Sequence, residues 1–474
     1  MNALLIDFGS TYTKLRAVTL DPIRVLASGQ GPSTITHDVT EGMDAALDDL
    51  ESRIGALPKF DLRLACSSAA GGLRMVTVGL VRELTAEAAR QAALGAGARL
   101  VGSFAQRLTS KDVAGIESLA PDILLLAGGT DGGNSEVIRH NARALAAARL
   151  NCPVNVAGNR AAADDVSEEL AAGAKTVTVT ENVMPEFGQL NIAPARGAVR
   201  RIFIERIVHA KGIDRAATHF DQVLMPTPAA VLEAARLLSE GAGGEPGLGP
   251  LMVVDVGGAT TDVHSVAGGE PGQAGVVQRG LPEPYMKRTV EGDLGMRHNA
   301  RGILAETGAE TIAATAGLEA SRVKAIIDSI AADTNRLPED KQERTLDFAL
   351  GHAAVRVAVR RHAGTVETVY TVNGPVLVQR GKDLSAIDTV IGTGGVLAHG
   401  DDSAGILQAA LAEESEPFSL RPKQPRLLLD RDYMLFAVGL LASVAPEAAV
   451  RLGKAHLENA GEDREHGRNT VAGR

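Results

Sequence analysis

The feature that most constrains the fold of this chain is a short pattern that occurs twice. Residues 6–14 (IDFGSTYTK) and 254–262 (VDVGGATTD) each end an apolar run at an aspartate, followed two positions later by a glycine and then by small or hydroxyl residues. This order predicts a β-hairpin with an unusual turn. Glycine lets backbone N–H groups converge on one point, so each turn can hold phosphate while its aspartate holds a metal ion.

Two such hairpins, one opening each half of the chain, predict two lobes that grip one nucleotide. At 474 residues, the chain is long enough for two to four domains. We expect a first lobe at 1–240, with a parallel α/β region at about 60–180, where strands and helices alternate, and a helical region at 185–238. After a linker rich in glycine and proline, a second lobe at 251–451 would end in an apolar helix. The polar residues 452–474 predict a flexible tail.

Composition narrows the function classes. A formal net charge of −10 argues against non-specific binding of nucleic acid. The longest apolar run, residues 433–445, is shorter than the roughly 18–20 residues of a membrane span, and an acid at Asp7 comes too early for a signal peptide. Cys66 and Cys152 are the only cysteines and form no Cys-x-x-Cys motif, which is typical of a reducing cytoplasm. We therefore predict a cytoplasmic protein that does not enter a membrane.

The two hairpins resemble the phosphate-1 and phosphate-2 motifs of the superfamily that contains actin, DnaK-type chaperones and sugar kinases. Residues 390–395 (VIGTGG) are similar to the adenosine loop of that superfamily, a strand followed by glycines. The resemblance implies an α/β fold with two actin-like lobes, each a ribonuclease-H-like mixed sheet flanked by helices, and a nucleotide cleft between them. The chain has no Gly-x-x-x-x-Gly-Lys-[Ser/Thr] motif, which excludes a P-loop enzyme.

The resemblance also implies a set of site residues for ATP and Mg²⁺. Asp7 and Asp255 would hold Mg²⁺ through water, and one of them would orient the attacking water. Glu291, about thirty residues after the second hairpin, is a third candidate catalytic residue. Phosphoryl transfer depends mostly on positioning and charge neutralisation, which such residues can supply. The candidate nucleotide-binding residues are Gly9, Ser10, Thr11, Lys14, Gly257, Gly258, Thr260, Thr261, Gly392, Gly394 and Gly395.

Other roles stay open for several of these residues. The aspartates of the two hairpins could merely cap turns, and Lys14 could be a surface lysine of a strand. Asp293 could cap a helix that begins near Leu294. A glycine loop at 127–134 (AGGTDGGN) could be a relic of duplication, a second ligand site or part of the contact between the lobes. We expect His264, within a near match to a cobalamin-binding motif, to be an ordinary strand residue.

The chain also resembles a narrower family, the GlmL/MutL proteins, which are encoded beside adenosylcobalamin-dependent glutamate mutase and related aminomutases. These proteins are unrelated to the mismatch-repair protein MutL. The likeness implies an accessory ATPase that reactivates the mutase by exchanging damaged cobalamin for intact cofactor, with the mutase subunits as partners and a homo-oligomer as one expectation. The segments that carry the likeness are residues 7–14, 125–134, 255–262, 290–297 and 430–433.

Three other functions fit the same fold. A small-molecule kinase would need an acid placed to deprotonate an acceptor hydroxyl, and no sugar-kinase signature is evident. A non-hydrolysing scaffold or filament would not need aspartates in both loops. The iron–sulfur activator of acyl-CoA dehydratases shares the Asp-x-Gly-Ser-Thr-x-x-Lys opening, but this chain lacks the cysteine arrangement of that activator.

Overall fold

A computed structural model describes residues 1–9, 11–34, 38–68, 73–210, 220–272, 274–334, 336–372 and 374–461, with the backbone alone at 206–210 and 222–224. Ser10, a predicted phosphate ligand, and residues 462–474 of the predicted tail lie outside this part of the chain.

The strands are β1 Asn2–Phe8, β2 Tyr12–Leu20, β3 Ile23–Pro32, β4 Leu62–Ser67, β5 Leu73–Gly79, β6 Ala98–Ala105, β7 Ile123–Leu126, β8 Val154–Val156, β9 Val177–Val179, β10 Gln222–Pro226, β11 Gly241–Ala242, β12 Glu245–Pro246, β13 Leu251–Val256, β14 Thr261–Val266, β15 Val276–Arg279, β16 Met286–Glu291, β17 Thr365–Thr371, β18 Gly374–Arg380, β19 Thr389–Thr393, β20 Arg426–Leu429 and β21 Glu458–Asn459.

The α-helices are α1 Val39–Ile54, α2 Glu87–Gly95, α3 Ser110–Leu119, α4 Glu136–Ala146, α5 Ala163–Ala172, α6 Ala193–Ala210, α7 Thr227–Glu240, α8 Ala300–Thr307, α9 Ala309–Ala316, α10 Ala320–Ala332, α11 Lys341–His362, α12 Gly395–His399, α13 Ser403–Gln408, α14 Leu435–Leu441 and α15 Pro446–His456. A π-helical turn at Arg82–Ala86 and a 3-10 turn at Arg160–Ala162 complete the helical segments.

The first lobe is built on a five-stranded sheet in the order β10-β4-β1-β2-β3. β1 pairs antiparallel with β2 and parallel with β4, so the strand that carries Asp7 lies at the centre of the sheet. Nearly every residue of β1 is buried, because both faces of the sheet are covered by helices. The continuous apolar sequence of β1 follows from this position.

A second sheet, in the order β6-β5-β7-β8-β9, is inserted into the first lobe between β4 and β10, and all of its strands are parallel. The predicted parallel region therefore exists, but it begins at β5 rather than near residue 60, because β4 pairs with β1 in the main sheet. The predicted helical region at 185–238 contains α6 and α7, and strand β10 separates these helices.

The second lobe repeats the strand order of the first. Its six-stranded sheet runs β16-β14-β13-β19-β20-β21, so the strand that carries Asp255 is again flanked by its hairpin partner on one side and by a parallel strand on the other. The shared order is that of a duplicated ribonuclease-H-like lobe, which confirms the predicted two-lobed actin-like α/β fold. A small sheet in the order β15-β18-β17 is an addition to the second lobe.

The two main sheets meet on one pair of helices, α7 and α14. A single buried cluster joins Leu5 of β1 and Val253 of β13 to the apolar faces of these helices. Gly439 of α14 lies directly against the backbone of Ala230 in α7, where a larger residue would collide. Within the apolar run at 433–445, residues Leu435–Leu441 therefore form the predicted buried helix, and the run ends in a partly exposed turn. Within the described residues, no helix has the length and apolar character needed to cross a membrane.

The end of the chain is more ordered than predicted as far as the structure describes it. Helix α15 continues to His456 with Leu452 buried, and β21 pairs antiparallel with β20. Regular structure therefore extends into the segment that we predicted as a flexible tail, because apolar side chains of α15 pack against the interlobe helices.

Candidate functional site

A cavity of about 1390 Å³ lies between the two lobes and is lined by both hairpins. The predicted residues that line it are Asp7, Gly9, Thr11, Lys14, Asp255, Gly257, Gly258, Thr260, Gly394 and Gly395. The structure therefore brings the two hairpins and the end of the glycine loop after β19 to one site, although they are far apart in sequence.

The first hairpin holds its aspartate in a fixed orientation. The turn closes with a hydrogen bond from the Gly9 N–H to the Tyr12 carbonyl at 3.1 Å. Asp7 is 3% exposed, and its Oδ1 accepts a hydrogen bond of 2.6 Å from the Thr227 hydroxyl at the start of α7. Its other oxygen lies 3.9 Å from Nζ of Lys14, the residue opposite Asp7 in the hairpin. The hydrogen bond from Thr227 therefore orients the Asp7 carboxylate, and the Lys14 ammonium lies beside its other oxygen.

Lys14 reaches across the cleft toward the second lobe. Its Nζ lies 4.3 Å from the centre of the Tyr433 ring, and its positive charge favours the ionised form of Asp255. A cation over an aromatic face is stabilised by the ring quadrupole. Lys14 is thus a residue of the cavity wall and not a solvated strand lysine.

The second hairpin has the same turn geometry but a different charge arrangement. The Gly257 N–H donates to the Thr260 carbonyl at 2.9 Å, which matches the bond that closes the first turn. The Thr260 hydroxyl donates to Asp262 at 2.9 Å, and Asp262 forms a buried ion pair with Arg288. In this hairpin the hydrogen-bonded carboxylate belongs to Asp262, on the returning strand, rather than to Asp255.

The carboxyl group of Asp255 lies in a strongly negative environment. Burial, followed by the negative charges of Asp262, Asp430 and Asp7, raises the pKa of Asp255 to about 7, and Lys14 opposes this rise. A cation in the cavity would relieve the repulsion between these carboxylates. Among the described residues, no group of three or more His, Cys, Asp or Glu side chains is arranged to enclose a metal ion.

Two groups in this cavity escaped the sequence prediction as site residues. Asp430 is 1% exposed and accepts hydrogen bonds from the Thr393 hydroxyl at 3.1 Å and from the N–H of Met434 at 2.7 Å. Burial raises the pKa of Asp430 despite these bonds. Residues 430–433 carry part of the family likeness, but only the fold shows that they face Asp255. Thr227 gave no sequence signal.

The glycines in and directly after β19 have different roles. Gly394 has φ +96° and touches the Val256 carbonyl so closely that a side chain would collide with it. Gly392 lies inside β19 with Leu407 and Leu397 about 3.1–3.2 Å from the position of a Cβ atom, so a larger residue would require these leucines to shift. Gly394 and Gly395 line the cavity, whereas Gly392 does not appear in its wall.

Beyond these glycines, the cavity extends along α11 and the loop after α12. Arg344, Phe348 and His399 are among the side chains that line this part. An aromatic ring, a guanidinium and an imidazole provide flat surfaces and polar groups on which a nucleoside could lie. The placement of a nucleoside near the glycine loop, with its phosphates at the hairpins, stays a prediction.

Glu291 lies away from the cavity wall. Its carboxylate accepts a hydrogen bond of 2.7 Å from Arg361, which also bonds to Asp293. Burial raises the pKa of Glu291, and the hydrogen bond from Arg361 opposes this effect. Asp293 is likewise occupied by Arg361, and the following residues do not begin a helix until Ala300. Neither residue lines the cavity, and the catalytic role of Glu291 stays a prediction.

The segment that contains Glu291 nevertheless supports the second hairpin through its backbone. The N–H groups of Met296 and Arg297 donate to the carbonyls of Gly257 and Gly258 at 3.1 and 2.8 Å. The hydroxyl of Thr261, a predicted nucleotide ligand, donates to the Leu294 carbonyl at 2.6 Å and is fully buried. Thr261 therefore links the second hairpin to the segment at 290–297 and does not point into the cavity wall as a free hydroxyl. A motif at this spacing can serve a phosphate loop without touching the nucleotide.

The glycine loop at 127–134 lies at the carboxyl end of β7, in the inserted parallel sheet, and is not part of the cavity wall. Asn159 holds this loop by accepting from the Gly132 N–H at 3.1 Å and donating to the Gly133 carbonyl at 3.1 Å. Asn182 donates to the Gly129 carbonyl at 2.9 Å.

His264, on β14, is fully buried and burial lowers its pKa to about 3, so the ring is neutral.

Comparisons with known proteins identify relatives along the whole chain. Residues 3–457 match the family described as MutL protein. The sequence is 46% identical over 455 residues to Protein MutL of Clostridium tetanomorphum, covering 96% of this chain and 98% of that protein. Two solved structures show only a weak overall similarity to this chain. The xylulose kinase of Bifidobacterium adolescentis has a TM-score of 0.31 at 11% identity, covering 98% of this chain and 95% of the kinase. A glycerol dehydratase reactivase has a TM-score of 0.31 at 12% identity, covering 94% and 99%.

Proposed function

The chain belongs to the MutL protein family, and from that membership and the geometry of the cleft we propose an ATP-hydrolysing accessory protein of an adenosylcobalamin-dependent mutase. The client would be a glutamate mutase or a related aminomutase. Hydrolysis would drive the release of damaged cobalamin, so the mutase subunits would be the partners. The protein would act in the cytoplasm.

The observation that carries this proposal is the meeting of two aspartate hairpins in one cavity. Asp7 and Asp255 come from different lobes, and Lys14 of the first lobe lies among the charges that act on Asp255. Gly9 and Thr11 of the first turn and Gly257, Gly258 and Thr260 of the second turn line the same space. Such an arrangement suits a triphosphate, because it supplies donors for the phosphate oxygens and carboxylates for a hydrated cation.

Each residue would have a separate task in hydrolysis. Bound Mg²⁺ would neutralise phosphate charge, with Asp7 and Asp255 as the acids that hold its water ligands. Thr227 would keep the Asp7 carboxylate in one orientation through its 2.6 Å hydrogen bond. With a pKa of about 7, Asp255 is also suited to take a proton from the attacking water near neutral pH. Lys14 would offset negative charge on the phosphates.

Nucleotide binding would change the relative position of the lobes, because both hairpins can engage one triphosphate only when the cleft closes. To shift a two-state equilibrium from 1:99 to 99:1, a ligand must favour one state by about 5.5 kcal/mol. Two phosphate-binding turns on opposite lobes could supply this preference. Only one of the two states would bind the mutase well, which would couple hydrolysis to release of cobalamin.

The direct test uses a mutase that its own turnover has inactivated. Adding this protein with Mg·ATP and intact adenosylcobalamin should restore activity, whereas Asp255→Asn protein or ADP in place of ATP should not. Equal recovery without ATP would refute the proposed role of hydrolysis. A parallel ATPase assay should show slow turnover without any acceptor. Turnover that depends on an added small-molecule hydroxyl compound would favour a kinase instead.

A further inference from the structure

A single turn of the inserted domain contacts supporting residues of both hairpins. This turn comprises residues 94–98, the end of α2 and the start of β6, and is called the 94–98 turn. It belongs to the β5-α2-β6 unit of the inserted parallel sheet, outside the cavity wall. We propose that nucleotide binding at the phosphate site changes the 94–98 turn through its contacts with both lobes. The turn would transmit this change to the inserted domain. This inference rests on the proposed binding of nucleotide.

The contact from the second lobe is made by Arg288 of β16. Its Nη1 donates to the carbonyls of Leu94 and Ala98, each at 3.0 Å, while its Nε donates to Asp262 at 2.9 Å. Arg288 is 5% exposed, so it spans the interface without competition from water. Asp262 in turn accepts the Thr260 hydroxyl of the second hairpin. One chain of three hydrogen-bonded side chains thus connects the cavity wall to the turn.

The contact from the first lobe is steric. Gly97 has φ +94°, and a Cβ atom there would lie 2.8 Å from the Pro226 side chain. Pro226 directly precedes Thr227, whose hydroxyl is bonded to Asp7. The turn therefore touches the immediate neighbour of the residue that orients the first aspartate. Because packed interiors have few voids, a displacement of Pro226 would also displace Gly97.

The direction of the response follows from the number of donors. A threonine hydroxyl carries one hydrogen, so Thr260 cannot donate to a phosphate and to Asp262 at the same time. When Thr260 turns to a phosphate, a buried oxygen of Asp262 loses its donor, which is costly unless another donor replaces it. Arg288 is the bonded neighbour that can supply one. Moving toward Asp262 would draw its Nη1 away from the two carbonyls, and the turn would loosen.

The test is hydrogen–deuterium exchange of the full chain with and without saturating Mg·ATP, with binding measured separately by calorimetry. Amides at 94–100 should exchange faster when nucleotide binds, within the about 5- to 150-fold range of typical coupling between sites. Binding of Mg·ATP with unchanged or slower exchange at the turn would overturn the proposal. A failure of Mg·ATP to bind would instead refute the nucleotide site.

Two matched variants test whether the change reaches the turn through Arg288. Arg288→Lys keeps a cation beside Asp262 but offers one nitrogen in place of a guanidinium fork, so it should bind Mg·ATP and lose the faster exchange. Arg361→Lys is the control, because Arg361 pairs with Glu291 at the end of the same strand and its described ion pairs all lie within the second lobe. This control should keep the response. An unchanged response in a folded Arg288→Lys protein would exclude the route through Arg288, and the wild-type measurement stands if that variant does not fold.

Discussion

The two hairpins have the same sequence pattern and turn geometry, but they prepare their aspartates differently. Asp7 accepts a hydrogen bond from Thr227 and lies beside Lys14, so its carboxylate is oriented in advance. The Asp255 carboxylate accepts no hydrogen bond within the described part of the chain, and its pKa is raised to about 7 by burial and by neighbouring carboxylates. The two turns therefore share one shape but differ in the charges that surround their aspartates.

This difference suggests a division of labour. Preorganised polar groups act without reorganisation cost, which is the main source of electrostatic catalysis. The Asp7 carboxylate fits that description, whereas the Asp255 carboxylate is destabilised until a cation or a proton arrives. We infer that Asp7 provides a fixed ligand position and that Asp255 makes the site respond to Mg²⁺ and pH.

The largest expected effect comes from removing either charge. Asp7→Asn or Asp255→Asn should lower ATP turnover by about 10²–10³, because each acid serves metal placement and transition-state charge. Steady-state phosphate release would measure this, with circular dichroism as the check on folding. Wild-type turnover in both variants would contradict the proposed roles of the two aspartates.

The orientation of Asp7 can be tested separately from its charge. Thr227→Val removes the hydrogen bond to the carboxylate and should reduce turnover by about tenfold or more, since hydrogen bonds to charged groups contribute roughly 1.5–3 kcal/mol. Thr227→Ser keeps the hydroxyl and should restore most of the rate. If the valine and serine variants are equally impaired, loss of packing rather than of orientation is responsible.

The raised pKa of Asp255 predicts that the affinity for Mg·ATP depends on pH. Its ionised form is needed for Mg·ATP, so the affinity measured by calorimetry should fall about tenfold between pH 8 and pH 6, as expected for one group with a pKa of about 7. Asp255→Asn should abolish this dependence, and Asp7→Asn should keep it. The same dependence in Asp255→Asn would assign the titration to another group.

The stability of the ligand-free protein should change with pH in the opposite sense. Because folding raises the pKa of Asp255 from 3.8 to about 7, its favourable contribution is complete below the unfolded value and is lost as the pH rises through about 7. Asp255→Asn should therefore unfold at a higher denaturant concentration than the wild type at pH 8, and this advantage should shrink toward pH 4. An advantage that does not vary with pH would show that the Asp255 charge is not its cause.

The smallest effect is expected at Glu291. Its carboxylate is paired with the exposed Arg361, and such pairs contribute about 0–1 kcal/mol when solvent reaches them. Glu291→Gln should leave ATP turnover within about twofold of the wild type. A loss as large as that of Asp255→Asn would instead support the catalytic role that the sequence suggested for Glu291.

Patterns within one segment were predictable, and contacts between distant segments were not. The turn residues of both hairpins carry their own signal, because glycine at a fixed distance from an aspartate dictates local geometry. Thr227 carries no such signal, since only the pairing of β10 with β4 brings it to Asp7. The same limit applies to Glu291: its spacing suggested the cleft, and only the fold shows that its carboxylate pairs with Arg361. Gly392 was predicted as a ligand because a strand glycine required by packing looks the same in sequence as a loop glycine.

Calorimetric titration of the full chain with ATP at millimolar Mg²⁺ tests the shared cleft most directly. Two hairpins that grip one triphosphate predict a single saturable event with one nucleotide per chain, weakened by Asp7→Asn and by Asp255→Asn alike. No heat of binding, or two independent events of which each variant removes only one, would contradict a common site.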